Sequence, residues 1–427
     1  MNLIAELRER NLLQDIMPGT EEQLLKEMTS AYIGFDPTAD SLHVGSLLPI
    51  TLLMRLQRAG HKPYALVGGA TGMIGDPSGK SQERNLLDVE TINRNCDGIR
   101  SQLERFLDFS ADAPNAAVMV NNYDWFREFS FLDFIRDAGK HITVNYMLAK
   151  DSVQKRLETG MSFTEFTYQL IQGYDFYYLC SQRNVRLQVG GADQWGNIVT
   201  GTELIRRKGA GDAFAFTCKL ITKSDGSKFG KSEGGNIWLD RTRTSPYTFY
   251  QFWLNLPDDD AAKMALIFSF KPVEEIRNLI AEHQQAEHLR KLQKALADEM
   301  TLLVHGAADL AFAVQASSLL FGQAPVELLR SLTEQQLLEV MDGGGVPQVR
   351  GNLAELADGA DILGFLVSSG MLASRGEAKK LIQNGGFSVN KEKVTSPDHK
   401  ILGEHLLNGK YLLLQKGKRD YTLAVFA

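Results

Sequence analysis

Cysteine is scarce in this chain. Only Cys96, Cys180 and Cys218 stand among 427 residues, far apart and odd in number. They offer no disulfide framework and no zinc spacing. A reducing cytoplasm is therefore the expected setting. No apolar run is long enough to span a bilayer, so no membrane association is expected. The stretch from Met1 to Ile16 carries Glu6, Arg8, Glu9 and Arg10 and lacks the apolar centre of a secretion signal. No Ser-His-Asp arrangement or metal-ligand cluster stands out. The glycine-rich run from Ala70 to Ser81 looks like a phosphate loop, but that loop needs a glycine five residues before Gly79, and Ile74 is there.

Composition is otherwise globular, at 44% hydrophobic and 23% charged. The length exceeds one ordinary core and predicts two or three domains. Net charge is −6, but unevenly spread. Residues 371–419 hold ten Lys or Arg and four Asp or Glu, against 36 basic and 48 acidic residues elsewhere. A basic module on an acidic body is a local electrostatic footprint or a solvated face.

The chain is organised around residues 32–46. Ala31 to Phe35 suits a strand, and Asp36-Pro37-Thr38 ends it, since proline cannot donate to a ladder. From Val44 the apolar spacing is helical as far as Gly60. His43 and Gly45 thus sit at a helix N-terminus beyond a strand, where free N–H groups favour an anion. Two further junctions repeat the pattern. Residues 62–69 read as a buried strand running into Gly72, Gly75 and Asp76; Val185–Val189 reads as a strand running into Gly190-Gly191, with Asp193 as the cap of a helix. Three such junctions imply a parallel sheet with its ligand crevice at the carboxyl ends of the strands.

Between them, Ser162 and Glu165 read as a capping box opening a helix. Tyr168, Gln172 and Asp175 follow at i, i+4 and i+7 and share one face. Such a face is either solvated or turned inward to a polar partner. The aromatics of residues 125–150 read mostly as core. Residues 215–222 read as a strand leading to Lys228-Phe229-Gly230-Lys231-Ser232, flanked by Gly226 and by Gly234-Gly235. Glycines on both sides predict a mobile loop carrying two lysines.

The stretches 32–46 and 228–232 together resemble the two signatures of class I aminoacyl-tRNA synthetases. The intervening sequence resembles the tyrosyl-tRNA synthetase family in its bacterial form, over nearly the whole chain. The resemblance implies a Rossmann-like α/β catalytic domain (1–244), an α-helical domain (245–340), a linker (341–360) and a small α+β module like the S4 RNA-binding domain (361–427). It implies ATP, L-tyrosine and tRNA(Tyr) as substrates, Mg²⁺ without a dedicated protein site, and a homodimer formed through the region of residues 125–150. Tyr32 and Asp175 match the pair gripping the substrate's phenol hydroxyl. Asp76, Tyr168 and Gln172 match the group holding its α-ammonium. Gly34, Asp36, Gly191, Asp193 and Gln194 match positions around the ribose and α-phosphate. Thr38, His43, Gly45 and the lysines Lys228 and Lys231 match the phosphate side, with Lys80 and Arg84 on a facing loop. Ser46 stands where the family usually has histidine or asparagine. In the last module Ser374 caps a helix presenting Arg375, Lys379 and Lys380, suited to RNA phosphates. Tryptophanyl-tRNA synthetase, a small-adenylate nucleotidyltransferase of the same fold and a non-catalytic RNA-binding paralogue are the alternatives. Tyr32 and Asp175 speak against the first, the basic module against the second, and His43, Asp76, Lys228 and Lys231 against the third.

Overall fold

The structure is a computed structural model describing residues 2–78, 86–157, 160–227, 229–232, 235–321, 325–418 and 420–427, the side chains of 152, 155, 231, 232 and 321 excepted. Lys80, Arg84 and Lys228, singled out above, lie outside the described residues.

The chain divides into two compact units, one of residues 1–240 and 257–292, the other of 241–256 and 293–427. The first is built on a six-stranded sheet. Its strands are β1 (Leu13–Ile16), β2 (Ser30–Phe35), β3 (Lys62–Val67), β4 (Val118–Asn121), β5 (Val185–Gly191) and β6 (Phe214–Cys218). The order is β1-β6-β5-β2-β3-β4. All neighbours are parallel except β1, which closes one edge antiparallel to β6. β2 and β3 are buried along almost their whole length, as strands covered on both faces must be. The last strand is shorter than residues 215–222 suggested and stops at Cys218.

Four helices matter for the site: α1 (Leu47–Arg58), α2 (Val89–Leu103), α3 (Phe163–Arg183) and α4 (Trp195–Lys208). A 3₁₀ turn, Val44–Ser46, precedes α1, so the signature enters its helix through a tighter turn. Ser162 caps α3 by accepting from the Glu165 N–H, while the Glu165 carboxylate takes a buried 2.6 Å ion pair from Arg156. Asp193 does not cap α4. It lies inside a second 3₁₀ turn, Ala192–Gln194, whose cap is Gly191. The aromatics of 125–150 are not mostly core. Trp125, Phe126, Phe129 and Phe134 are half-buried, with Phe126, Phe129 and Phe134 ringing Tyr174, and Phe131 is exposed.

Residues 257–292 return to the first unit. Its helix α6 (Asp258–Phe268) ends on two buried guanidinium groups; α5, Pro246–Leu254, belongs to the other unit. Arg10 donates to the carbonyls of Leu266, Ser269 and Lys271 at 2.9, 2.9 and 2.7 Å. Arg55 donates to those of Ile267 and Ser269 at 3.2 and 2.7 Å. Cations here satisfy carbonyls that the helix cannot.

The second unit continues with helices including α7 (Ala307–Phe321) and α8 (Glu334–Gly343). After the glycines at 343–345, residues that read as a linker carry β7 (Gln348–Gly351), the edge of a five-stranded sheet. The sheet also holds β8 (Phe387–Val389), β9 (Glu392–Lys393), β10 (Tyr411–Lys416) and β11 (Asp420–Phe426), in the order β9-β8-β10-β11-β7. One face packs on α9 (Ile362–Ser368) and α10 (Arg375–Gln383) through Phe365, Ile382 and Leu412. The other presents Leu413 and Leu423 to Leu319, Leu337 and Val340 of α7 and α8.

Candidate active site

The carboxyl ends of β2, β3 and β5 open onto one cavity of about 520 Å³. Tyr32, Gly34, Asp36, Gly45, Asp76, Tyr168, Gln172, Asp175, Gly191, Asp193 and Gln194 all line it. Eleven residues named from sequence thus meet at one place, although they span 163 positions of chain. Thr38 is exposed and borders a small neighbouring cleft with Asp36 and Pro37. His43 and Ser46 are half-buried and stand outside the cavity's lining.

The inner end is built from Tyr32 and Asp175. Tyr32 is 1% exposed, and its hydroxyl has no hydrogen-bond partner among the described residues. A buried hydroxyl left so costs free energy unless a ligand meets it. Asp175 is 2% exposed. Its Oδ1 accepts from Trp125 Nε1 at 2.9 Å and its Oδ2 from Asn122 Nδ2 at 3.1 Å. Burial pushes the Asp175 carboxyl up to about 8, against the pull of those two donors. Burial, and then the Asp175 charge, raises the Tyr32 phenol well above its ordinary value. The Tyr32 hydroxyl is therefore a donor throughout the physiological range.

The middle is polar and cross-braced. Tyr168 donates to Asp36 Oδ2 at 2.9 Å, and Thr71 donates to Asp36 Oδ1 at 2.8 Å. Asn122, fully buried, also donates to Thr71 Oγ1 at 3.1 Å. A continuous path, Asp175–Asn122–Thr71–Asp36, thus joins the inner end to the strand-end aspartate. Gly68 allows it, because a Cβ there would collide with both Asp36 Oδ1 and Thr71 Oγ1. Asp76 accepts from the Ser78 N–H at 2.9 Å and from Gln194 Nε2 at 2.8 Å. Asn197 reaches Gln172 Oε1 at 3.0 Å.

The two signature stretches meet beside Gly45 and Phe229, both in the cavity's lining. His43 Nδ1 accepts from the Gly45 N–H at 2.9 Å, and a Cβ at Gly45 would stand 2.6 Å from that imidazole. Val44 N–H donates to the Ile237 carbonyl at 2.8 Å, and Ile237 N–H to that of Gly230 at 3.1 Å. Gly230 lies at φ +90°, where a Cβ would be 2.9 Å from the Gly45 nitrogen. Lys231 begins a two-residue strand paired with Gly235–Asn236. Gly230 and Ile237 are thus seated against the histidine turn.

Asn122, Trp125, Thr71, Ser78, Gln188 and Asn197 were not assigned to the site from sequence. Asn122 stands directly after β4 and Trp125 three residues on, the one local hint of a shared target. In the basic module Arg375, Lys379 and Lys380 are all exposed, and Arg375 pairs with Asp361.

Residues 25–322 match the family described as tRNA synthetases class I (W and Y), and residues 341–424 match a tyrosine–tRNA ligase SYY-like C-terminal domain. The chain is 58% identical over 430 residues to the tyrosine–tRNA ligase of Bacteroides thetaiotaomicron, with all of both chains covered. It is 58% identical to that of Flavobacterium johnsoniae, covering 98% of each. Among solved structures, a C-terminally truncated mitochondrial tyrosyl-tRNA synthetase of Aspergillus nidulans superposes with a TM-score of 0.64 at 30% identity, covering 73% of this chain and 92% of that one. At such identity over its whole length, the chain belongs to the tyrosine–tRNA ligase family of class I tRNA synthetases.

Proposed function

We infer that the chain activates L-tyrosine with ATP and passes the tyrosyl group to the 3′ end of tRNA(Tyr). The observation that carries this reading is the cavity's polarity. An orphaned phenol and a buried carboxylate form its inner end, and acceptors for an ammonium lie farther out. Tyr32 and Asp175 meet the substrate's phenol hydroxyl, which donates to Asp175 and accepts from Tyr32. Asp76, Tyr168 and Gln172 take the α-ammonium. The carboxylate is then held toward Asp36, Gly34, Gly191, Asp193 and Gln194, where the ribose and α-phosphate lie.

In the first step a carboxylate oxygen bonds to the α-phosphorus and pyrophosphate leaves. In the second, a ribose hydroxyl of tRNA attacks the acyl carbon and AMP leaves. Neither step needs a covalent protein intermediate; positioning and charge stabilisation suffice. Thr38, His43, Gly45, Ser46, Lys80, Arg84, Lys228 and Lys231 supply donors and charge on the phosphate side. Mg²⁺ arrives on the nucleotide's phosphates, since Mg²⁺ keeps its waters and takes few protein ligands. Among the described residues no group of three or more His, Cys, Asp or Glu could hold a metal ion.

Arg375, Lys379 and Lys380 contact tRNA phosphates. A homodimer is favoured by Phe131, Leu132 and Ile135, which leave 64%, 70% and 45% of their surface exposed on one short helix. No described helix is long and apolar enough to cross a membrane. ATP–pyrophosphate exchange measured across the amino acids tests the central reading. Exchange with tyrosine is expected; exchange with tryptophan instead, or with none, overturns it.

A further inference from the structure

We propose that Asn197 is the positioning residue of the ammonium subsite, acting through Gln172 and Asp76. The proposal rests on the reading that Asp76, Tyr168 and Gln172 hold the substrate's ammonium. Asn197 stands in the first turn of α4 and is 4% exposed. Its Nδ2 lies 3.0 Å from Gln172 Oε1, 3.3 Å from Gln194 Oε1, 3.3 Å from Ser78 Oγ and 3.5 Å from Asp76 Oδ1. All four of those residues line the cavity.

An amide nitrogen carries two hydrogens, so it cannot serve four acceptors at once. The shortest contact is with Gln172, and its chemistry matters most. A glutamine amide has one accepting end and one donating end, and only the oxygen can take a hydrogen bond from an ammonium. A donor fixed on Oε1 holds that oxygen in the site and turns the NH₂ end away. Both Asp76 oxygens lie where they accept, Oδ2 from Gln194 Nε2 at 2.8 Å and Oδ1 from the Ser78 N–H at 2.9 Å, which favours the Asn197 amide with its nitrogen inward. Asp76, Gln172 and Gln194 come from three separate segments. Among the described residues Asn197 is a side chain that touches all three, and a pocket held this way keeps its acceptors aimed before the substrate arrives.

The test uses the full-length chain and two probes that compete with tyrosine in pyrophosphate exchange. Tyramine has the ammonium without the carboxylate; 3-(4-hydroxyphenyl)propionate has the carboxylate without the ammonium. Asn197→Ala should weaken tyramine and tyrosine about tenfold, the scale of one misplaced hydrogen bond. It should leave the propionate within about twofold of wild type on the same reasoning. Asn197→Ser keeps a shorter donor and should lie between, and it carries the test if the alanine variant does not fold. Equal weakening of both probes would mark a merely structural role and overturn the proposal, as would no weakening. Asp76→Asn separates the two layers of the argument. If it too weakens both probes alike, the ammonium reading fails. If it weakens tyramine alone while the Asn197 variants do not, only the role of Asn197 fails.

Discussion

Asp175 shows how a residue suited to a ligand burdens the fold that carries it. With its carboxyl held near 8, against an ordinary value of 3.8, the folded state favours the neutral form. The stability this group contributes is fully present below its ordinary pKa and is lost as pH rises through the folded value. Asp175→Asn escapes that loss. Its melting temperature should gain on wild type by several degrees more at pH 8 than at pH 5; a gap that stays constant with pH would refute this. Tyr32→Phe keeps the carboxylate and removes one neutral donor. The preference for tyrosine over phenylalanine in kcat/KM of pyrophosphate exchange should shrink about tenfold, and an unchanged ratio would move specificity elsewhere. The stripe Tyr168, Gln172, Asp175 was legible because helical periodicity is local. Asn122 and Trp125 were not, because their target lies 53 and 50 residues away. A polar residue at a strand end does not announce its partner.

Elements were legible where backbone chemistry is local. The strand–glycine–helix junctions were visible because proline and glycine punctuate the chain. The 3₁₀ turns that open α1 and precede α4 were not, since a residue inside such a turn looks like a cap. The segment from Phe229 to Ile237 shows what an element-scale constraint does. Gly230 holds a left-handed φ against the Gly45 nitrogen. Gly230→Ala adds strain of about 1–2 kcal/mol to that seating. Single-turnover adenylation should slow roughly tenfold on that strain, with tyrosine affinity unchanged; a parallel fall in affinity would show that the cavity itself had moved. Lys231→Ala removes a charge rather than a shape. It should cost on the order of 3 kcal/mol in the adenylation rate, measured by quench-flow, and an unaltered rate would remove Lys231 from the phosphate side.

At the scale of the whole molecule, charge and connectivity do different work. Reversing Lys379 and Lys380 to Glu should weaken tRNA charging while leaving pyrophosphate exchange intact. The slope of log affinity against log salt should fall by about 2; equal loss in both assays would place the defect in folding. A crossing between units near residue 244 was expected from the resemblance, and the structure puts it between Asp240 and Arg241, so the neighbourhood was legible. The return of residues 257–292 to the first unit was not, since long-range packing decides it. That return gives the chain three covalent passages between its units. During synthesis Arg10 and Arg55 leave the ribosome some 200 residues or more before the carbonyls that receive them. The first unit therefore cannot close as its own residues appear. A nascent chain halted at residue 256 should stay protease-sensitive and adherent to chaperones, whereas one extended beyond residue 292 should begin to resist. Order of birth and order of folding are uncoupled here, and no single cut in the chain parts the two units from one another.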